Sequence, residues 1–127
     1  MATALEPRFE DAFAPGALIT DPIECAYYAQ DVFTAGPPPR AVFRPASIAE
    51  LAEGLRAAAA EGLAIVPRGG GMSYTSGYVA PQAGALIVDL GRMCRILDVN
   101  ETDMTVTVEA GVSWAQLYDE LHPRGLR

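Results

Sequence analysis

Two different hydrophobic patterns meet at about Arg92. Before it, the apolar runs at 40–44, 63–66 and 85–89 are short and continuous, which predicts strands, the last of them covered on both faces. After it, apolar and polar side chains alternate over 104–110, which is typical of a half-buried antiparallel strand. The pattern predicts the α+β class, with a small parallel βαβ-plus-strand unit followed by the start of an antiparallel α+β unit.

A helix is predicted between the first two strands. Ser47 and Glu50 have the spacing of a capping box, in which the Ser47 hydroxyl accepts the Glu50 amide and the Glu50 carboxylate reaches back. An apolar stripe at helical spacing follows, and Gly62 ends the helix. The stripe, which we expect to face the sheet, consists of Ile48, Leu51, Ala52, Leu55, Ala58 and Ala59.

The second unit begins with a predicted hairpin, in which a turn at 100–103 joins residues 95–99 to the alternating segment. Ser113 and Gln116 form a second capping box, and we expect its helix to end one or two residues before Pro123. A two-stranded hairpin with one helix is marginally stable alone. We therefore expect the chain to be the N-terminal part of a longer protein.

Prolines recur through residues 1–37 between short apolar pieces and scattered acids. We expect this leader to be loosely structured, with a helical turn between Asp21 and Asp31. The rest of the chain, 38–127, has the length of one domain and is expected to be truncated at its C-terminal end.

The segment after the second predicted strand carries the most promising chemistry. Three consecutive glycines have no Cβ atoms, so their backbone can turn until the amides converge on one point and form a concavity for an anion. Hydroxyl groups follow, Arg68 precedes the glycines, and Gly77 lets the chain turn away. The glycines are Gly69, Gly70 and Gly71, and the hydroxyl residues are Ser73, Thr75 and Ser76. The segment predicts a site for a phosphate or diphosphate.

Two better-known phosphate motifs fit less well. A Walker A loop needs a lysine, whereas all nine basic residues here are arginines. A dinucleotide-binding G-x-G-x-x-G has a third glycine where Tyr74 stands, and its helix is missing because Gly77, Pro81 and Gly84 keep the segment in loop. Asp89 lies roughly 20 residues on, as a ribose-binding acid does, so a nicotinamide-dependent Rossmann protein stays open as a weaker alternative.

The amino-acid composition and net charge indicate which kinds of binding partner are not expected. The 127 residues are half hydrophobic and carry a net charge of −7, which argues against nucleic acid and anionic membrane surfaces. Cys25 and Cys94 are too few for a disulfide framework. No signal peptide is recognisable, and no apolar run approaches the roughly 18 residues of a membrane span, so we expect a cytoplasmic protein without an integral membrane segment.

Five segments in order resemble the FAD-binding domain of the vanillyl-alcohol oxidase and p-cresol methylhydroxylase type. They are PPRAV at 38–42, RPAS at 44–47, VPRGGG at 66–71, DLGRM at 89–93 and VEAGV at 108–112. The resemblance implies that FAD is the cofactor and that its diphosphate lies on the glycine-rich loop. The cofactor-binding residues that it implies are Arg68, Gly69, Gly70, Gly71, Met72, Ser73, Tyr74, Thr75, Gly77, Tyr78 and Gly111.

The same resemblance implies a flavin-dependent oxidoreductase that takes a hydride from a small-molecule substrate and passes electrons to oxygen or another acceptor. Its catalytic residues are expected beyond Arg127, so this chain alone is expected to be inactive and to bind FAD weakly. In the covalent branch of the family a histidine follows the glycines. Met72 stands there, which implies non-covalent FAD as far as this segment shows, unless a residue beyond Arg127 makes the link. A phosphate- or nucleotide-binding module and a truncated remnant without redox activity remain alternatives.

Several of these residues also have purely structural interpretations. Arg68 could be an ordinary surface cation, and Tyr74 and Tyr78 could be core aromatics. Asp89 is expected to cap the end of its strand more readily than to bind a ribose. His122 is expected at a helix C-terminus and not in catalysis, and no set of residues identifies an acid, a base or a metal site.

Overall fold

The structure is a computed structural model that describes residues 7–127, and it has the mixed α+β class that the sequence predicts. The helices are α1 (Pro7–Glu10), α2 (Pro22–Tyr27), α3 (Ile48–Ala60) and α4 (Trp114–Leu121). The strands are β1 (Leu18–Ile19), β2 (Ala41–Phe43), β3 (Ile65–Arg68), β4 (Leu86–Asp89), β5 (Ile96–Asn100) and β6 (Thr105–Val108). Short 3₁₀ turns follow β4 at Leu90–Arg92 and α4 at His122–Arg124.

The first sheet has the strand order β1-β2-β4-β3. Strands β2, β4 and β3 run parallel, as predicted, with Ile87 of β4 opposite Val42 on one side and Val66 on the other. Strand β4 lies between β2 and β3, and all four of its residues are buried. The sheet ends at β1, of two residues, and at β3, which contains Pro67.

Helix α3 covers one face of this sheet, but it is rotated away from the predicted stripe. Leu51, Leu55 and Ala58 pack into the core, whereas Ile48 is 64% exposed and Ala59 is exposed, so the prediction is wrong for these two. Gly54 explains the rotation, because a Cβ there would lie 2.4 Å from Phe43 Cε1. The helix turns its glycine to the Phe43 ring and leaves one edge of the apolar stripe in solvent.

One capping box is only half formed. The Glu50 amide donates to Ser47 Oγ at 3.2 Å, but the Glu50 carboxylate accepts from the Ala46 amide at 2.9 Å and not from Ser47. The box at α4 is complete, with 3.3 Å from the Gln116 amide to Ser113 Oγ and 2.9 Å from the Ser113 amide to Gln116 Oε1. Both helices therefore start where the sequence predicts.

The described part of the leader is built into the domain, so its predicted loose structure is wrong. Strand β1 pairs antiparallel with β2, and Phe9, Ala17 and Cys25 are buried. The predicted helical turn is α2, whose N-cap Asp21 accepts the amides of Ile23 and Glu24 at 3.0 Å. Apolar contacts with β2 keep the leader ordered, although its many prolines suggested a loose structure. Residues 1–6 of the leader lie outside the described residues, and the boundary at residue 37 stays a prediction.

Strands β5 and β6 form the predicted hairpin, and the turn at 100–103 is closed by the Asp103 amide, which donates to Asn100 Oδ1 at 2.9 Å. The predicted alternation holds for Val106 and Val108, which are half-buried. It fails at Met104 and Ala110, which are exposed, and at Glu109, which is 7% exposed. Glu109 follows the end of β6 and turns inward, where it accepts from Arg95 Nη2 at 2.7 Å and from the Arg95 amide at 2.8 Å.

Candidate functional site

The glycine-rich loop starts at the carboxyl end of β3 and leaves its first amides free. Gly69 and Gly70 are exposed, Gly71 has a φ of +72°, and a Cβ at Gly70 would meet no atom within 4 Å. The amides of these three glycines donate to no acceptor within residues 7–127. Because unpaired amides in a turn bind anions, the loop offers three donors to a ligand.

Arg68 lies directly beneath this loop, in a cage of tyrosine rings. Its guanidinium carbon is 4.8 Å from the ring centre of Tyr28, 5.0 Å from Tyr78 and 5.7 Å from Tyr27. Nη1 is buried and has no hydrogen-bond partner in the described part of the chain. Cation–π contacts take the place of hydrogen bonds here. A Cβ on Gly71 would lie 2.6 Å from Arg68 Nη2, so the cation stands close to the loop backbone.

Tyr78 and Tyr74, which the resemblance placed together, occupy different environments. The Tyr78 ring is 5% exposed in the core below the loop, and its hydroxyl donates to the Gly71 carbonyl oxygen at 2.5 Å. Tyr74 is 63% exposed, and its ring centre lies 5.8 Å from that of Phe33. Tyr78 thus supports the loop from inside, while Tyr74 lies on its outer surface.

The remaining loop residues are accessible to solvent. Met72 is 66% exposed and Gly77 is exposed. Ser73 Oγ is 3.3 Å from Thr75 Oγ1 and accepts from the Thr75 amide at 3.3 Å, so these two hydroxyl groups contact each other in the structure. They lie on the same loop as the three free glycine amides.

A cleft of about 280 Å³ lies beside the loop, and four of its seven lining residues belong to the leader: Tyr27, Gln30, Asp31 and Val32. Asp31 connects the leader to the loop, a contact that the sequence did not predict. Its Oδ2 accepts from the Ser76 amide at 2.9 Å, and its Oδ1 accepts from the amides of Phe33 at 2.8 Å and Thr34 at 2.6 Å. The hydrogen bond from the Phe33 amide, followed by those from Thr34 and Ser76, holds the pKa of Asp31 below its ordinary value. Asp31 and the threonine three residues later could have predicted the local turn, but not its contact with the loop.

Asp89 is the polar residue at the end of β4, and the structure shows it in the capping role. It accepts from the Gly91 amide at 2.9 Å and from the Tyr28 hydroxyl at 3.1 Å, and it forms an ion pair with Arg44 at 3.2 Å. Burial, and then the charge of Asp89, raise the pKa of Tyr28. These three partners connect the leader, β2 and β4 under the glycine-rich loop.

Gly111 is half-buried where the second unit meets the first. Its amide donates to the Met93 carbonyl oxygen at 2.8 Å, and a Cβ there would lie 2.2 Å from the Leu90 carbonyl oxygen. The neighbouring Ala110 carbonyl oxygen is 3.5 Å from the Cβ position of Gly69. The structure therefore brings this segment to the loop, although close packing already accounts for the glycine.

A larger, apolar cavity of about 620 Å³ lies elsewhere, between the β5–β6 hairpin and α4. None of residues 68–78 lines it, and Trp114 at its rim is 87% exposed. His122 stacks on Tyr118 at 4.9 Å beyond the end of α4, and the described residues contain no group of acids, cysteines or histidines that could hold a metal ion. The glycine-rich loop is thus the candidate anion site.

A family model and several known proteins match this chain. The family model of the FAD binding domain matches residues 39–127. A D-2-hydroxyglutarate dehydrogenase of Xanthomonas citri pv. viticola is 34% identical over 110 residues, which cover 86% of this chain and 23% of that protein. An uncharacterized FAD-linked oxidoreductase of Mycobacterium tuberculosis is 30% identical over 122 residues, which cover 94% of this chain and 26% of that protein. The chain spans about a quarter of the length of these curated relatives.

Several solved structures share the fold. p-Cresol methylhydroxylase superposes with a TM-score of 0.74 at 22% identity, over 93% of this chain and 24% of that one. The 4-ethylphenol oxidase of Gulosibacter chungangensis superposes with a TM-score of 0.79 at 22% identity, over 98% and 26%. Among residues 7–127, no helix has the length and apolar character needed to cross a membrane.

Proposed function

The chain belongs to the FAD binding domain family, and on this premise we propose that it anchors FAD in a flavin-dependent oxidoreductase. The observation that carries the proposal is the set of three free amides at Gly69, Gly70 and Gly71 above the Arg68 cation. Bound FAD would supply hydride transfer from a substrate carbon. The chain's own residues would hold the cofactor and orient it.

The residues present fit a diphosphate. Hydrogen bonds to charged groups contribute about 1.5–3 kcal/mol each, so three amides would give about 5–9 kcal/mol before the cost of association is subtracted. The net charge of −7 repels an anionic ligand at long range. For FAD to bind, a local attraction would have to offset this repulsion, and the loop amides with Arg68 are the groups that could provide it.

We propose that the flavin is bound without a covalent link to this loop. Met72 follows the glycines, and its thioether does not form the bond to the flavin methyl group that a histidine at this position makes in the covalent branch. The expected result is that acid precipitation of the complete, flavin-loaded protein leaves the yellow colour in solution. A yellow pellet whose flavin-bearing peptide contains Met72 would contradict the proposal, whereas a flavin peptide from beyond Arg127 would place the link outside this loop.

We propose a 2-hydroxy acid as the substrate class of the whole enzyme. Two D-2-hydroxyglutarate dehydrogenases, 34% and 32% identical to this chain, support the choice. Reduction of bound flavin by D-2-hydroxyglutarate, followed as loss of the yellow absorption band without oxygen, is the direct assay.

The cytoplasmic location stays a prediction from the sequence.

A pair of variants at one position tests the loop. A side chain at Gly70 enters open space, so Gly70→Ala and Gly70→Asp should both fold. Only Gly70→Asp places a carboxylate beside the diphosphate, and we expect it to lose much more flavin absorbance than Gly70→Ala. Equal flavin content in the two variants would contradict the proposed site. A protein that binds adenine nucleotides but shows no flavin bands would favour a nucleotide-binding module instead.

A further inference from the structure

The glycine-rich loop is fixed at both ends by residues outside it. At its start, the Tyr78 hydroxyl donates to the Gly71 carbonyl oxygen at 2.5 Å. At its far end, the Asp31 carboxylate accepts the Ser76 amide at 2.9 Å across 45 positions of sequence. Ser76 Oγ also donates to Thr34 Oγ1 at 3.3 Å. Residues 72–75 span the interval between these two contacts.

Ser76 has a φ of +58°, a left-handed conformation that residues other than glycine rarely adopt. Such a conformation persists only where surrounding contacts hold it. The structure shows three such contacts: the Val79 amide donates to the Ser76 carbonyl oxygen at 3.1 Å, and the amide and hydroxyl of Ser76 donate to Asp31 and Thr34. Two of the three come from the leader, so the leader helps to fix the path of the loop's far end.

Asp31 has little capacity left for a ligand. Three amides point at its two oxygens, from Phe33, Thr34 and Ser76, and these hydrogen bonds compensate its negative charge. The Arg68 guanidinium lines the same cleft. A carboxylate satisfied in this way can lie beside an anion site and act through the backbone that it holds.

We propose that Asp31 is a positioning residue for FAD binding: by fixing Ser76 it holds the loop in the shape that presents the Gly69, Gly70 and Gly71 amides to the diphosphate. The inference rests on the proposed FAD-anchoring function. Through Asp31, the leader would contribute to cofactor binding.

The test replaces Asp31 by asparagine in the complete protein. The Asp31→Asn side chain has one carbonyl oxygen in place of two charged acceptors, so it cannot hold all three amides as the carboxylate does. We expect the dissociation constant for FAD, measured by quenching of flavin fluorescence, to rise about tenfold. We also expect the ³¹P resonances of bound FAD to shift, because the amides around the diphosphate move. Asp119→Asn removes the same charge from an exposed position on α4 and should leave both readouts unchanged.

The outcomes separate this inference from the proposed function. If wild-type protein binds FAD and Asp31→Asn binds it equally well with unchanged ³¹P resonances, the positioning role is wrong and the proposed function stands. If wild-type protein binds no FAD, both are wrong. If Asp31→Asn does not fold, the rate of hydrogen exchange at the Ser76 amide of the wild-type protein tests the Asp31–Ser76 contact instead. Protection in the FAD-free protein supports the contact, and exchange at the rate of an open loop refutes it.

Discussion

Replacing Gly111 by alanine should destabilise the protein, although the backbone of Gly111 has a conformation that other residues also adopt. The added Cβ would lie 2.2 Å from the Leu90 carbonyl oxygen and 2.7 Å from that of Met93. Both obstacles are backbone atoms, so no flexible side chain can move aside. Overpacking costs about 1–3 kcal/mol and a weakened Gly111–Met93 hydrogen bond about 1 more, which gives a total of about 3 kcal/mol. The shift in Tm per kcal/mol becomes smaller as the chain becomes longer, so the apparent Tm of the complete protein should fall by about 5 °C.

The assay is thermal unfolding of the complete protein without FAD, followed by circular dichroism at a fixed scan rate, because bound cofactor would raise the Tm by mass action. Gly70→Ala is the matched control, since its Cβ meets nothing within 4 Å and its Tm should stay near that of wild type. Equal Tm values for the two variants would show that the segment can move away from Leu90. The close approach would then not explain the glycine.

Two further variants probe polar contacts. Hydrogen bonds from the Arg95 side chain, and then from its amide, hold the pKa of Glu109 below its ordinary value. The Arg95–Glu109 pair therefore stabilises the fold fully above about pH 4.3, the ordinary pKa of a glutamate. This stabilisation is lost as the pH falls through the lowered pKa. The Tm difference between wild type and Glu109→Gln should accordingly be present at pH 7 and shrink by pH 3, and a constant difference would contradict this origin. Tyr78→Phe keeps the buried ring but removes the bond to Gly71, so the FAD dissociation constant should rise about fivefold in a fluorescence titration. An unchanged constant would show that this hydroxyl does not support the loop.

Much of the fold could be predicted because its signals are local. The three parallel strands are short apolar runs ending at charged or turn-forming residues, and α3 and α4 begin at capping residues. Strand β1 was missed because two residues carry no periodicity, and its stability comes from pairing with β2. The central place of β4 was also not predictable, since strand order depends on how covered faces pack.

For the candidate site, too, local features could be predicted from the sequence and long-range contacts could not. A glycine triplet after an apolar run predicts a loop with free amides, and the structure shows one. The Asp31–Ser76 contact joins residues 45 positions apart, and the burial of Tyr78 depends on the packing of its whole surroundings. The sequence could predict the turn at Asp31, but neither its contact with Ser76 nor the burial of Tyr78 has a signal in the neighbouring residues.

The two borders of the larger sheet bear on how this protein behaves in a crowded cell. Unpaired strand borders recruit strands from other molecules, and native sheets resist this with very short strands or with proline. Here one border is only two residues long, and the other contains Pro67, which has no amide hydrogen to donate. Within residues 7–127, the larger sheet therefore offers other molecules little template for strand pairing, with or without a bound cofactor.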